Sequence, residues 1–448
     1  MPIYLATVLD TPGDLGEEGG LRIGTDLALV VRDGVIVART DIDSARRDHP
    51  AEALVDLRDG ILLPGFVDTH VHFPQVRVIG GLGRPLLDWL AERALPEEAR
   101  LADVEYARGV AADFLSGLTQ AGTTTALVFG SHFPRAVDAL FEQAEKSGHR
   151  ITTGLVLSDR LLREDLLQTP AAALEASREL ARRWHGRGQL RYAVTPRFSL
   201  STTDEMLAAA GSLLLGKEPG TPDDLWFTSH LNENDAEIAQ VRELFPAASG
   251  YLDTYARHGL VTERSVFAHN VHPEPEELAV LAAAGAAVAH CPSSNGVLGS
   301  GMFPLREHLD AGVRIALGTD VGAGTGLSLL KEGLQAYLVQ QLSGREGITL
   351  TAADLLHLVT RSGALALGLA DQIGDLSVGK QFDAVRILPP QGSTLGVALR
   401  HTETASDALA TLFAQGTPAD IHEVWLAGQE IKNGPSKTTA PADEETAA

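Results

Sequence analysis

The chain has 448 residues, 44% hydrophobic and 21% charged, which excludes a disordered protein and allows a large core. Its 36 basic residues face 59 acidic ones, and the net charge of −23 disfavours a nucleic-acid partner while keeping the protein soluble. A single cysteine, Cys291, excludes an intrachain disulfide framework, and no run of ~18 consecutive apolar residues marks a membrane partner.

The first residues carry no basic n-region and no long apolar run, so together with the single cysteine they point to the cytoplasm. Short β-rich runs, Ile3–Val8, Asp26–Arg32 and Val35–Arg39, alternate with turns such as Arg32-Asp33-Gly34 and predict a small antiparallel sheet. Phe382–Ile387 and Glu423–Leu426 predict further short strands at the other end. Two separate tiny sheets would have little to bury against, so residues 1–60 and 376–435 are expected to build one small β-sandwich-like domain. From Asn433 the chain is polar, acidic and proline-bearing, and 436–448 is expected to be a frayed tail.

Between these ends, 61–375 alternates short apolar runs with longer helical patterns. The strand runs are Phe66–Val71, Thr123–Phe129, Ile151–Leu157, Leu190–Thr195, Leu225–Leu231, Ser265–Ala268, Ala287–Cys291 and Val313–Gly318. Segments such as Val104–Gln120, Ala136–Glu145, Thr203–Leu215, Glu276–Ala284 and Ala352–Leu367 space Leu and Ala as helices do. A length prior of ~150 residues per domain would divide the chain into about three, but eight such units favour an α/β fold with one closed (β/α)8, TIM-like barrel. No glycine fingerprint of dinucleotide binding follows the first strand.

Active sites of this fold lie at the C-terminal ends of the strands. There the chain places His70 and His72 on strand one, Arg197 after strand four, His230 on strand five, His269 at strand six and Asp320 after strand eight. The spacing of His70 and His72 puts both imidazoles on one side of a strand, where they can share a cation. With His230 and Asp320 they form a mononuclear set that suits zinc and leaves iron or another divalent ion open.

The run Pro64-Gly65-Phe66-Val67-Asp68-Thr69-His70-Val71-His72 resembles the opening metal motif of the amidohydrolase superfamily. Four further stretches are similar to its guanine-deaminating branch: His72-Phe73-Pro74-Gln75, Leu86-Leu87-Asp88-Trp89-Leu90, Pro96-Glu97-Glu98-Ala99-Arg100 and Thr195-Pro196-Arg197-Phe198-Ser199. Ser229-His230-Leu231-Asn232-Glu233-Asn234, Ala289-His290-Cys291-Pro292-Ser293-Ser294-Asn295 and Leu317-Gly318-Thr319-Asp320-Val321-Gly322 extend the match over roughly residues 60 to 390. Where many superfamily members carry a metal-bridging lysine, the fourth strand here offers Arg197, consistent with one metal per chain.

The resemblance implies hydrolytic deamination of a purine base, guanine, to xanthine and ammonia by a metal-activated water, in a likewise implied homodimer. It implies that Glu233 protonates a ring nitrogen, that Asp320 binds the metal and shuttles the water's proton, and that His269 steers the water, with ligation by His269 left open. Gln75 offers a donor and an acceptor to a purine edge, Arg197 a planar fork to a carbonyl oxygen, and Phe198 a wall for the ring.

Leu87 and Trp89 could line the entrance, but an apolar Leu-Leu-x-Trp-Leu run is more often helix packing than a ligand wall, and Cys291, without a base partner, reads as a small buried side chain. The solitary histidines, among them His132, His149 and His357, are expected at the surface or in local hydrogen bonds. One cysteine excludes the zinc site of the deaminases that use a Pro-Cys-x-x-Cys pair. Two rival readings stand. A sister enzyme acting on 8-oxoguanine, a pterin, an adenosyl compound or a triazine would keep the ligands and change the base-reading residues. A non-catalytic assembly protein on the same barrel would be expected to lack the ligands, which this chain keeps.

Overall fold

The computed structural model describes residues 2–17 and 20–432. β1 (Pro2–Asp10) pairs antiparallel with β2 (Arg22–Arg32), and β2 with β3 (Val35–Asp41). The two-residue turn between β2 and β3 is Asp33-Gly34, at φ 50° and 80°, the left-handed pair that matches the twist of a tight hairpin. β4 (Ala53–Pro64) runs parallel to β1. It escaped the sequence reading because Asp56, Arg58 and Asp59 interrupt its apolar pattern.

The barrel follows: β5 (Phe66–His72), β6 (Thr123–Phe129), β7 (Arg150–Thr153), β8 (Val156–Leu157), β9 (Arg191–Pro196), β10 (Trp226–Leu231), β11 (Ser265–His269), β12 (Ala287–His290) and β13 (Arg314–Leu317). The parallel ladder runs β5-β6-β7-β9-β10-β11-β12-β13, and β8 pairs only with β9. β7 and β8 are the two halves of one expected strand, broken at Gly154. A Cβ there would lie 1.8 Å from the Ala193 carbonyl oxygen, so only glycine lets the two backbones pass.

No ladder joins β13 to β5. The gap is closed at the rim, where the Asp320 N–H donates to the His70 carbonyl at 2.8 Å and the His72 N–H to the Val321 carbonyl at 2.7 Å. Gly318 makes this approach possible, since a Cβ there would sit 2.9 Å from the His70 nitrogen.

Helices cover the outside. Pro134–Ser147 opens on proline, whose missing N–H costs nothing there, and stops at Gly148, φ 79°. The helix expected over Ala352–Leu367 is two, Ala352–Val359 and Arg361–Ala366, broken at Thr360. The second piece tucks against β5, where a Cβ on Gly363 would lie 2.6 Å from that of Val67.

β14 (Ala384–Ile387), β15 (Ile421–Leu426) and β16 (Gln429–Lys432) return to the first layer, with β14 antiparallel to β4. The sandwich-like layer expected from the termini takes the form of one seven-stranded mixed sheet, β16-β15-β14-β4-β1-β2-β3. One face packs Tyr4 on Phe382, ring centroids 4.6 Å apart, with Trp425 edge-on, which ties the two ends of the chain together. Residues 433–448, with the expected tail, lie outside the described residues.

Asp10, 0% exposed, accepts hydrogen bonds from Arg22, Arg39 and the Leu376 N–H and clasps the sheet to the chain entering β14. Asp10→Ala would leave Arg39 facing no carboxylate at that point, and the expected loss is about 3 kcal/mol, read as a shifted midpoint in denaturant unfolding.

Candidate active site

β5 alternates side chains across its two faces, so Asp68, His70 and His72 share the inward one. Asp68 takes the Thr319 N–H at 3.1 Å and its hydroxyl at 2.6 Å, pinning the segment that carries Asp320. His230 ends the inward row of β10.

The ligand atoms of His70, His72, His230 and Asp320, all buried, lie within 4.8 Å of one another. Nε2 of His72 is 3.2 Å from that of His70 and 3.3 Å from that of His230. Oδ1 of Asp320 is 3.2 Å from His70 Nε2 and 3.1 Å from His72 Nε2. A tetrahedral ion held at ~2.0–2.1 Å would separate its ligand atoms by about 3.3 Å. His230 donates its Nδ1–H to the Arg197 carbonyl at 2.6 Å, which leaves its Nε2 lone pair facing the others. Burial favours the neutral form of two of these imidazoles, pushing His70 down to about 3 and His230 well below its usual range. Three imidazole nitrogens and a carboxylate oxygen converging at these distances have the spacing a bound cation sets between its ligands, so the residues fit a metal ion.

Beside this group the chain leaves its strands through left-handed backbone at Asn232 (φ 47°), His269 (φ 70°), Asn270 (φ 47°) and Asp320 (φ 45°). Such conformations are costly for side-chain-bearing residues and gather at functional sites. The residue types, Asn, His, Asn and Asp, are those that most often tolerate this conformation without glycine, but they are too common elsewhere to have marked it in the sequence. Asn232 is held by the Asn270 side chain at 3.0 Å and Glu277 at 2.7 Å, which turns Glu233 inward. Burial, and then the charge of Asp320, raises the Glu233 carboxyl well above its usual range, which favours its protonated form; its Oε1 has no protein partner.

His269 bonds through Nδ1 to Asn295 Oδ1 at 2.9 Å, and its Nε2 lies 3.6 Å from Glu233 and 3.8 Å from Asp320. It stands beside the group of His70, His72, His230 and Asp320 and is not one of its four members. Ser294 donates to Asp320 Oδ2 at 2.6 Å.

The cavity in front of these groups is lined by Gln75, Arg197 and Phe198, and by Leu86, Trp89, Leu90, Leu298 and Ala323. Phe198 packs edge-on to His230 at 6.2 Å. Trp89 and Leu90, read from sequence as plain helix packing or passed over, sit where Leu86–Trp89 runs into a π-helical turn, Leu90–Ala94. Wide turns of this kind mark functional sites, but an apolar run gives no sign of one.

Glu98 was passed over as a site residue. In the Pro-Glu-Glu segment Glu97 bonds outward to Tyr106 and Arg100, while Glu98, 2% exposed, turns inward to Gln75 and Arg197. Burial alone would raise its carboxyl; Arg197, His132 and Gln75 outweigh it and hold the group below its usual range. Of the histidines expected at the surface or in local hydrogen bonds, His149 and His357 are buried with local partners, Ser147 and Ser362, whereas His132 is buried 3.5 Å from Glu98. Cys291 is buried, and burial pushes its thiol well above the usual range, which suits an inert side chain.

The profile of the Amidohydrolase family matches residues 61–431. A protein of Deinococcus radiodurans described as a probable guanine deaminase is 55% identical over 434 residues, 96% of this chain and 98% of that one. The solved E. coli guanine deaminase superposes with a TM-score of 0.92 at 36% identity, covering 97% of this chain and 100% of that one. Guanine deaminase from C. acetobutylicum, solved with guanine bound in the active site, gives a TM-score of 0.86 at 26% identity, covering 96% and 99%.

Proposed function

This chain belongs to the amidohydrolase family, and from that membership we propose that it is the enzyme that hydrolyses guanine to xanthine and ammonia. The observation that carries the proposal is the buried His70, His72, His230 and Asp320 group opening onto a cavity that also holds the buried carboxyl of Glu233 and the polar tips of Gln75 and Arg197. The four residues would hold one zinc ion. When bound, zinc supplies a Lewis acid that lowers the pKa of a water toward ~7.

The protein's own groups do the rest. Arg197 donates to the O6 carbonyl, Gln75 offers one N–H and one lone pair to the ring edge, and Phe198 walls the ring. Leu86, Trp89 and Leu90 keep bulk water from the front of the cavity. As the water oxygen bonds to C2, Asp320 takes its proton and Glu233 gives a proton to the ring nitrogen beside C2. His269, tethered by Asn295, steers that water. The C2–amine bond then breaks: Asp320 returns its proton to the departing nitrogen, and Glu233 recovers one from the new C2 hydroxyl, leaving xanthine and ammonia.

The same reading extends to a homodimer working in the cytoplasm. Among the described residues, no helix is long and apolar enough to cross a membrane. The assembly-protein reading has no use for four converging ligands and a buried acid.

Incubated with guanine, the zinc-loaded protein is expected to form xanthine with kcat/KM of at least ~10⁴ M⁻¹s⁻¹, followed by ultraviolet absorbance with metal content measured on the same sample. Conversion of 8-oxoguanine, a pterin, an adenosyl compound or a triazine without conversion of guanine would replace the substrate.

A further inference from the structure

Glu98 closes the short helix Leu95–Ala99 directly behind the two side chains that face the ring edge. Its Oε1 accepts from Gln75 Nε2 at 2.7 Å and from Arg197 Nη1 at 3.0 Å, and its Oε2 accepts from the same Nη1 at 2.8 Å. The other end of the Gln75 amide is also tied, its Oε1 accepting the Gly322 N–H at 3.0 Å. These bonds decide which way the amide faces. Turned over, it would set its oxygen against the Glu98 carboxylate and its amine against the Gly322 N–H. One N–H and one lone pair of Gln75, with the remainder of the Arg197 fork, are left for a ligand.

On the reading of Gln75 and Arg197 as base-contacting residues, we propose that Glu98 is the positioning residue that sets specificity, aiming both so that the site takes a 6-oxo ring and refuses a 6-amino one. A guanidinium offers donors only and does not deprotonate. Held on Glu98, it cannot turn aside from a 6-amino group, whose N–H bonds would meet its own. A ring carbonyl in the same place accepts from it. A site with fixed polar groups rejects a mismatched analogue far more strongly than an apolar pocket does.

Glutamine at position 98 has one oxygen and one amine to offer two donors. Its oxygen can still accept from Gln75, but its amine then stands in the place of Oε2, 2.8 Å from Arg197 Nη1, donor against donor and without the charge that held the guanidinium, so Arg197 swings away and the pattern facing the ring is lost.

The test compares steady-state kinetics of the zinc-loaded wild type and Glu98→Gln on guanine and 2,6-diaminopurine. In Glu98→Gln, KM for guanine is expected to rise about 10- to 100-fold, with kcat changing much less. The ratio of kcat/KM for guanine over 2,6-diaminopurine is expected to fall at least ~10-fold, with metal content unchanged. Glu98→Asp, which keeps the charge at a shorter reach, is expected to recover part of that ratio, and it carries the test if Glu98→Gln does not fold. A metal-loaded, folded variant with wild-type KM and wild-type ratio overturns the proposal, as does a loss confined to kcat. Arg197→Met separates the two levels of the argument. If it leaves KM unchanged, the base-contacting assignment fails; if it raises KM while Glu98→Gln does not, only the role of Glu98 fails.

Discussion

Glu233→Gln is expected to retain one metal ion per chain and to lose kcat by ~10²-fold or more, the scale of general acid catalysis. Glutamine fills the same space and touches no ligand, so the four-residue group is left intact. What disappears is a carboxyl whose acid form is favoured, because burial and the neighbouring Asp320 charge raise it well above its usual range. The sign of the pH dependence follows: the acid acts while protonated, so activity present at lower pH is lost as pH rises through the raised pKa. That alkaline limb is expected in the wild type and absent from the residual activity of Glu233→Gln. A variant with near-normal kcat, or one whose profile keeps the limb, would remove Glu233 from the role.

His230→Ala is expected to abolish stable metal binding. The imidazole it removes is the one fixed from behind by the Arg197 carbonyl, and the three remaining groups would leave one side of the ion open. A Lewis acid contributes several kcal/mol to such a reaction. At about 1.4 kcal/mol per tenfold, the loss in kcat/KM is roughly 10³-fold or more. Binding to the native state alone also stabilises it. Added zinc is therefore expected to raise Tm for the wild type and leave His230→Ala unmoved, and metal analysis on the same samples separates lost binding from lost folding. Full occupancy in the variant would contradict the ligand set.

Much of this was legible in the chain because it depends on short-range periodicity. The two-residue spacing of His70 and His72 needs only a strand to converge, and apolar runs separated by helical patterns need only counting. The parts that were not legible depend on partners far along the chain. β4 is a strand because β1 and β14 lie on either side of it, against its own charged pattern. The break at Gly154 follows from Ala193, and that at Thr360 accompanies the packing of Gly363 on Val67. Nothing in the Pro-Glu-Glu run separates Glu97 from Glu98; only the fold turns the first to Tyr106 and Arg100 and the second to Gln75 and Arg197. Trp89 read as packing because a cavity wall and a core share the same apolar chemistry.

The rim contacts that stand in for a β13–β5 ladder have a kinetic side. They join positions as far as 251 residues apart, as between Asp68 and Thr319, so they bear the largest chain-closure entropy in the sheet. Local pairs such as β5 with β6 can form early, whereas this seam waits for nearly the whole barrel to be present. The same few residues that gather the ligand group therefore also complete the cylinder, and the site is expected to form late, with the contacts of greatest sequence separation.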